Sequence, residues 1–579
     1  MTLIDQLKNK AATALAISLN GQQGKILGML EKPKNRDHGD LALGLFSFAK
    51  SAGKNPTELA KEVAAAIHLP KEFKSAVAVG PFINLHFDRP EFTVGSVQQI
   101  FSSGNPSLPI APRKEKLIVE YSSPNIAKPF HVGHLRATLI GNALDKIYRK
   151  LGNDVISINH LGDWGTQFGF VYAGCQIWGK PETETVNGLV DLYKKATALK
   201  EAQEKKTLSE EEQKLPDVNA MARKFFIEQE NGADYAQKFW QWCSDISLRY
   251  FKETYKRIGV HFDHYTGESF YSDKLDGVKA ELERSKILVD SEGALGVDLG
   301  EELGFARVYT PDGRSLYLTR DLATAEYRYN TFKFDRALYV VGNPQTLHFK
   351  HIRGVLAKLG KSYADQIVHV GFGQVLGMKT RGAGKTVELN DLLDEAHALA
   401  LEAYRSQVSK RPEGLDEDLV AEKVALAAII FSTLNRTRDK DITFSWEQAL
   451  AFQGDSGPYI LYSFARINGI TDRSGFSEAE VEAWVPRAEH YSEAAAFELA
   501  YEIERFSEVV SSVVADNDPH HLTGYLLSLA KAVSKAYLEL HVANVERELG
   551  LSRLKLFKAA AKTIKEGCGL LGFEVLERM

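Results

Sequence analysis

The sequence predicts a multidomain α/β chain, with a parallel-sheet core preceded by a small α+β domain and followed by an all-helical region. Three observations carry this reading. From about Lys116, short apolar runs of strand type alternate with segments of helical periodicity, the order a parallel sheet requires. The first such run, Leu117-Ile118-Val119, leads into a loop with Pro124 and Pro129, which can continue neither a strand nor a helix, and that loop enters a helix through His131-Val132-Gly133-His134. After about Asn390 the periodicity is helical almost without interruption. A chain of 579 residues is too long for a single core, so about three or four domains are expected.

Residues 1–105 form the first domain. Leu3, Leu7, Ala11 and Leu15 recur at helical spacing; His38-Gly39-Asp40 precedes LALGLFSFAK, read as helix; Val77 to Leu85 reads as strand, turn, strand. The turn-rich stretch SSGNPSLPIAPRKEK links it to a core over 113–455. There Leu135, Leu139, Ile140 and Leu144 mark one face of the helix after the histidines, Asp154–Asn159 reads as a second strand and Gln167–Trp178 as its helix. Residues 181–232, rich in Glu, Lys and Gln, read as a solvated helical insertion, the interruption reaching to near 260. Alternation resumes with a strand at Arg307-Val308-Tyr309, a turn at Pro311-Asp312-Gly313 and a strand at Leu316-Tyr317-Leu318, then strands at Arg336–Val341 and Ile367–Phe372. Residues 456–579 are all helical, and Lys531, Lys535, Arg547, Arg553, Lys555, Lys558, Lys562 and Lys565 give them a local basic excess.

Composition is that of a soluble globular protein, 44% hydrophobic and 25% charged. A net charge of −5 argues against a uniformly basic coat but leaves room for local basic faces. Cys175, Cys243 and Cys568 are far apart and form no C-x-x-C pair, so neither a zinc site nor a disulfide framework is expected and a reducing cytoplasm fits. The opening MTLIDQLKNK carries Asp5 and no long apolar core, which is unlike a signal peptide, and the longest apolar run, around Val424 to Phe431, is too short to span a bilayer.

A helix entry just beyond a strand offers free N–H groups and the positive end of the helix dipole, and so suits an anion. His131, Gly133 and His134 are therefore candidate phosphate contacts, Gly133 by letting a ligand approach the backbone, with Lys128 of the same loop as a further cation. H-x-G-H is short, and two capping or core histidines without a ligand is the competing reading. Gly384-Lys385-Thr386 imitates the end of a P-loop, but Lys379 stands where G-x-x-x-x-G-K-T needs glycine.

The flanks of the two histidines carry a more specific signal. SSPNIAKPFHVGHLRATLIGNAL, and NHLGDWGTQFG from Asn159 to Gly169, resemble blocks of the arginyl-tRNA synthetases, a class I aminoacyl-tRNA synthetase family. GPFINLHF, GPYILYSFARINGI and GCGLLGFEVLERM are similar to later and earlier segments of the same family, so the resemblance covers essentially the whole chain. It implies a Rossmann-like catalytic domain with the HVGH signature, an N-terminal domain that contacts the corner of tRNA, and a C-terminal anticodon-binding domain. It also implies ATP taken with Mg2+, and arginine and tRNA(Arg) as partners; with the cysteine pattern and the short apolar runs, the expectation is a cytoplasmic monomer without zinc or membrane contact. The implied activity is synthesis of arginyl-adenylate and transfer of arginine to the terminal adenosine of tRNA(Arg), activation itself requiring tRNA.

Such activation needs no general base, because the attacking carboxylate is already ionised; the enzyme positions two anions and neutralises the charge growing on the phosphates. His131 and His134 fit that task. The family's second signature loop, K-M-S-K-S, falls at Gly377-Met378-Lys379-Thr380-Arg381, where Gly377 replaces the first lysine, so Lys379, Arg381 or Lys385 supplies the charge, with Met378 on the ATP side. For the substrate guanidinium the resemblance implies Tyr317 and Asp321, assisted by Glu120, with Asn125 and Gln345 at the α-amino and carboxylate end. Asp321 read without the family is a helix N-cap before Leu322. Asp163 and Trp164 are expected to shape the ATP side or the loop. The alternatives are a class I synthetase for another amino acid, a nucleotidylyltransferase, and a non-catalytic tRNA-binding paralogue.

Overall fold

The computed structural model describes residues 2–33, 35–109, 113–291, 293–310, 316–377, 388–406 and 414–579. Its centre is a five-stranded parallel sheet in the order Ile367–Phe372, Arg336–Gly342, Lys116–Glu120, Asp154–Asn159, His264–Tyr265. The strand that comes first in sequence therefore lies in the middle, with the second on one side and the fourth on the other. That reversal of strand order opens a crevice at the carboxyl ends of the strands, where open α/β sheets bind ligands.

Alternation along each strand builds two cores. Leu117, Val119, Leu338 and Val340 face a large core that continues through the helix Val132–Lys150, the N-terminal domain and the last helices. Ile118, Ile158, Ala337 and Tyr339 face a second core closed by the helices Tyr317–Phe332 and Thr346–Lys358. The helix Val132–Lys150 is buried nearly all round from Leu135 to Asp145, well beyond the one apolar face expected. Its approach to the sheet depends on Gly141, where a Cβ would lie 2.1 Å from the Tyr121 ring.

The opening helix Leu3–Leu19 forms as expected, with Thr2 and Asp5 making a capping box at its start. The strand–turn–strand also forms, Phe73–Val79 pairing antiparallel with Phe82–Phe87. LALGLFSFAK is not helical throughout. Leu41–Gly44 is a strand paired with Phe82–Leu85, and the helix begins only at Phe46. A four-residue apolar run has no period of its own, and the neighbouring strand decided it.

Strand Asp154–Asn159 and helix Gln167–Trp178 match the sequence reading. The insertion is helical, Val186–Lys205 and Val218–Glu230, but it is not a loosely solvated excursion. A Cβ on Gly169 would lie 2.3 Å from the Ala222 carbonyl oxygen, so the insertion is packed backbone to backbone on the helix before it. Two further expectations fail. Arg307–Tyr309 is a strand, within Phe305–Tyr309, but it belongs to a separate three-stranded antiparallel sheet with Ala294–Asp298 and Leu288–Ser291. Leu316-Tyr317-Leu318 is not a strand, because the helix Tyr317–Phe332 starts there; the intervening turn lies outside the described residues. The Leu316 N–H and the Thr319 hydroxyl both donate to the Val308 carbonyl, at 3.0 and 2.7 Å, and pin that helix start to the strand.

Candidate active site

The loop after the central strand sets the site. Ser122, Ser123 and Ala127 all adopt left-handed backbone, φ 74°, 51° and 57°, a cost of about 1–2 kcal/mol for each non-glycine residue. Surrounding side chains hold it. The Ser122 hydroxyl lies 2.7 Å from the Tyr255 hydroxyl and 2.8 Å from that of Thr138, Asn159 Oδ1 accepts from the Ser123 N–H at 3.2 Å, and Ser247 Oγ accepts from the Ala127 N–H at 3.0 Å. Asn125 bridges to Gly162, whose missing side chain makes room for its amide oxygen.

The chain then enters the helix Val132–Lys150 with His131 as N-cap; its Nδ1 accepts from the Gly133 N–H at 3.1 Å. That acceptor role places the imidazole proton on Nε2. The His131 and His134 rings lie 3.9 Å apart. Burial, the neighbouring His131 and Lys128 hold His134 down to about 3, so it is neutral at working pH; burial and Lys128 also lower His131. Among the described residues the buried Nδ1 of His134 has no hydrogen-bond partner. Gly133 has its N–H taken by His131, and a Cβ there would lie 2.7 Å from the His131 ring, so its absent side chain makes room for that ring. The His134 N–H likewise donates to the His131 carbonyl at 2.9 Å. The histidine side chains, more than free backbone amides, are the donors this helix end offers.

A second cluster lies on the other side of the crevice. Glu120, at the end of the central strand, is paired with the fully buried Arg328, whose guanidinium also lies 3.3 Å from the Tyr271 hydroxyl and 3.4 Å from His160 Nδ1. Glu268 accepts from Arg320 at 2.9 Å; burial raises its carboxyl, opposed by His160 and Arg320, with Asp321 adding to the rise. Asp321 is the fifth residue of its helix, and Leu316 is the N-cap, so the N-cap reading is overturned. Its Oδ2 meets His348 Nε2 at 2.5 Å. Tyr317, one turn earlier, is 73% exposed, and Gln345, after the fourth strand, is also exposed. Three carboxylates thus face two internal guanidiniums, and Asp321 is the one whose partner is a histidine.

Arg328, Arg320, Glu268 and His348 escaped the sequence reading. Arg328 left a signal: it shares a helical stripe with the buried Thr324 and Ala325, a position where a cation demands a facing carboxylate. Arg328→Lys keeps the charge but reaches one acceptor where the guanidinium reaches three. It should lower the unfolding free energy by about 1–3 kcal/mol, the cost of stranding a buried polar group, as read by urea denaturation.

Asp163 is buried and its carboxylate accepts from the Ser269 N–H and hydroxyl at 2.8 and 2.6 Å, while its carbonyl accepts from Trp240 Nε1 at 2.7 Å. It braces the loop Leu161–Trp164. Met378, Lys379, Arg381 and Lys385 lie outside the described residues.

Seven of the eight basic residues singled out in 456–579 are paired with acids in the fold. Lys531 pairs with Asp455 at 3.3 Å, Lys535 with Glu498 at 2.6 Å, Lys558 with Glu478 at 3.4 Å, Lys562 with Glu482 at 3.9 Å and Lys565 with Glu577 at 3.8 Å. Arg547 and Arg553 meet Glu480 and Glu493, and the Lys555 ammonium donates to the carbonyls of Glu482 and Trp484. The acids come from segments up to about eighty residues away in sequence, which a local charge count cannot see.

Two histidines 3.9 Å apart thus stand at a helix entry beyond the central strand of a parallel sheet. Residues 96–446 match the family described as tRNA synthetases class I (R), catalytic domain; residues 3–87 match the arginyl tRNA synthetase N terminal domain, and residues 460–579 the DALR anticodon binding domain. The chain is 35% identical to an arginine–tRNA ligase of Alkaliphilus metalliredigens, covering 100% of both chains. It is 36% identical to one of Lactococcus lactis, over 99% of this chain and 100% of that one. In fold it is similar to the Thermus thermophilus arginyl-tRNA synthetase, with a TM-score of 0.78 at 23% identity over 98% of this chain and 99% of that one. The chain belongs to the arginyl-tRNA synthetase family.

Proposed function

We propose that the protein is an arginine–tRNA ligase in which the two clusters divide the work. The carboxylate oxygen of arginine attacks the α-phosphorus of Mg-ATP, diphosphate leaves, and arginyl-adenylate forms. A ribose hydroxyl of the terminal adenosine of tRNA(Arg) then attacks the carbonyl carbon and AMP leaves. His131 Nε2–H and the neutral imidazole of His134 donate to phosphate oxygens as charge builds there, with Lys128 and one of Lys379, Arg381 or Lys385 assisting. Tyr317 and Asp321 hold the guanidinium, Glu120 contributes through its pair with Arg328, and Asn125 and Gln345 take the other end of the substrate. The observation that carries the arginine assignment is the charge balance of the second cluster. Glu120 and Glu268 already have arginine partners within the chain, and Asp321 has not, which leaves room for one more guanidinium.

The reading takes activation to depend on tRNA, residues 1–105 to contact the tRNA corner, 456–579 to bind the anticodon, and the enzyme to work as a cytoplasmic monomer. Among the described residues no helix is long and apolar enough to cross a membrane. Exchange of labelled diphosphate into ATP, run with each amino acid with and without tRNA, tests the whole. Exchange with arginine alone, and only when tRNA is present, is the expected result; exchange with a different amino acid, or none at all, refutes the assignment. Because Lys531 and Lys535 are held by Asp455 and Glu498, replacing both by alanine should change tRNA affinity at fixed salt by less than about twofold, far from the tenfold that 1.4 kcal/mol represents. A larger loss would show that these side chains leave their carboxylates for phosphates.

A further inference from the structure

We infer that Arg136 is a positioning residue for the activation step, holding the helix that carries His131 and His134 in register with the chain segments 371–376 and 437–443. Its side chain, two residues after His134, is only 1% exposed. Nη1 donates to the Gly373 carbonyl at 2.7 Å and to the Lys440 carbonyl at 2.6 Å, and Nη2 to the Thr437 carbonyl at 3.3 Å. Among the described residues it makes no ion pair; the nearest acids, Asp518, Asp441 and Asp439, act on it only through space. A buried charge of this kind is a poor stabiliser, and its best-attested use is to fix registry.

The segments it grips are themselves locked together. Gly373 comes so close to the other strand of the junction that a Cβ would lie 2.5 Å from the Lys440 carbonyl carbon. Val375–Leu376 pairs in parallel with Ile442–Thr443. Arg438 donates through Nη1 to the Gly371 carbonyl at 2.5 Å, and its N–H donates to Asp518 of the helical region at 2.9 Å. At the other end of the histidine loop, the Leu389 N–H donates to the Phe130 carbonyl at 2.7 Å, and Glu388 bridges to His131. The catalytic helix, the end of the fifth strand and the 437–440 segment therefore meet at one guanidinium, and Arg438 ties that segment to Asp518 of the helical region. None of its bonds reaches the acidic cluster, so disturbing it should move the phosphate-side donors and leave arginine binding in place.

The inference rests on the proposed ligase activity, and its test separates the two. Arg136→Lys keeps the charge and the stem but cannot donate to three carbonyls at once. Measured by diphosphate exchange with arginine and tRNA, kcat per folded molecule should fall about tenfold to a hundredfold, the penalty of roughly 1 Å of misplacement, with KM for arginine within about twofold of wild type. Arg438→Lys, which loosens the same junction from its more exposed side, should give the same split at smaller size and covers the case in which Arg136→Lys does not fold. A kcat per folded molecule within twofold of wild type, or a rise in KM for arginine matching the fall in rate, overturns the positioning role. Wild-type protein without exchange overturns the functional reading instead.

Discussion

Asp321→Asn should weaken arginine binding by about 2–5 kcal/mol, the range for breaking a desolvated charge pair, and leave the folded protein close to wild-type stability. The guanidinium has only donors; an amide in place of the carboxylate removes one charge and turns an NH2 group toward it. The fold sharpens this expectation. Asp321 is interior to its helix, with Leu316 as the cap, so the substitution removes no N-cap and stability has no reason to drop by the usual capping increment. What it does remove is the carboxylate partner of His348, 2.5 Å away. That pair is partly exposed, and the amide oxygen can still accept from the imidazole. The measurement is a titration of arginine with tRNA and an ATP analogue present. An affinity within about twofold of wild type, well short of the tenfold of 1.4 kcal/mol, removes Asp321 from the pocket and moves the arginine assignment onto family membership alone.

His134→Ala should slow diphosphate exchange by about 10²–10³, or 2.7–4 kcal/mol, with arginine affinity nearly unchanged, as for the loss of one transition-state donor. His131→Ala should do the same and also lose about 1 kcal/mol of stability, because His131 caps its helix. His131→Asn restores the cap without the Nε2–H, so it should recover stability and not rate. Since burial holds His134 near 3, its titration adds no limb to the activity profile around neutral pH. Between the unfolded value near 6.5 and about 3, the unfolded chain takes up a proton that the folded one refuses. Wild-type stability therefore falls as pH drops through that window, and the fall should be shallower in His134→Ala. A large loss of arginine affinity at undiminished kcat would instead mark the histidines as ground-state ligands.

Local chemistry was enough for part of this protein. The period of apolar residues placed the strands Lys116–Glu120, Asp154–Asn159, Arg336–Gly342 and Ile367–Phe372 and the helices around them. The prolines and His131 placed the helix entry, because those signals are carried by neighbours in the chain. The two-residue strand His264–Tyr265 and the strand Leu41–Gly44 carried no such period and were set by pairing with strands far away in sequence. The same division runs through the site. Residue types at the helix entry pointed to phosphate before any coordinates. It took the tertiary structure to show that Gly133 yields its space to the His131 ring, that Glu120 is matched by Arg328, and that most of the basic residues near the end of the chain pair with acids from other segments. Arg136 is the clearest case: its three partners are backbone carbonyls some two hundred and forty and three hundred residues away. A carbonyl is present at every residue, so sequence cannot say which ones a guanidinium will find; packing alone brings them together.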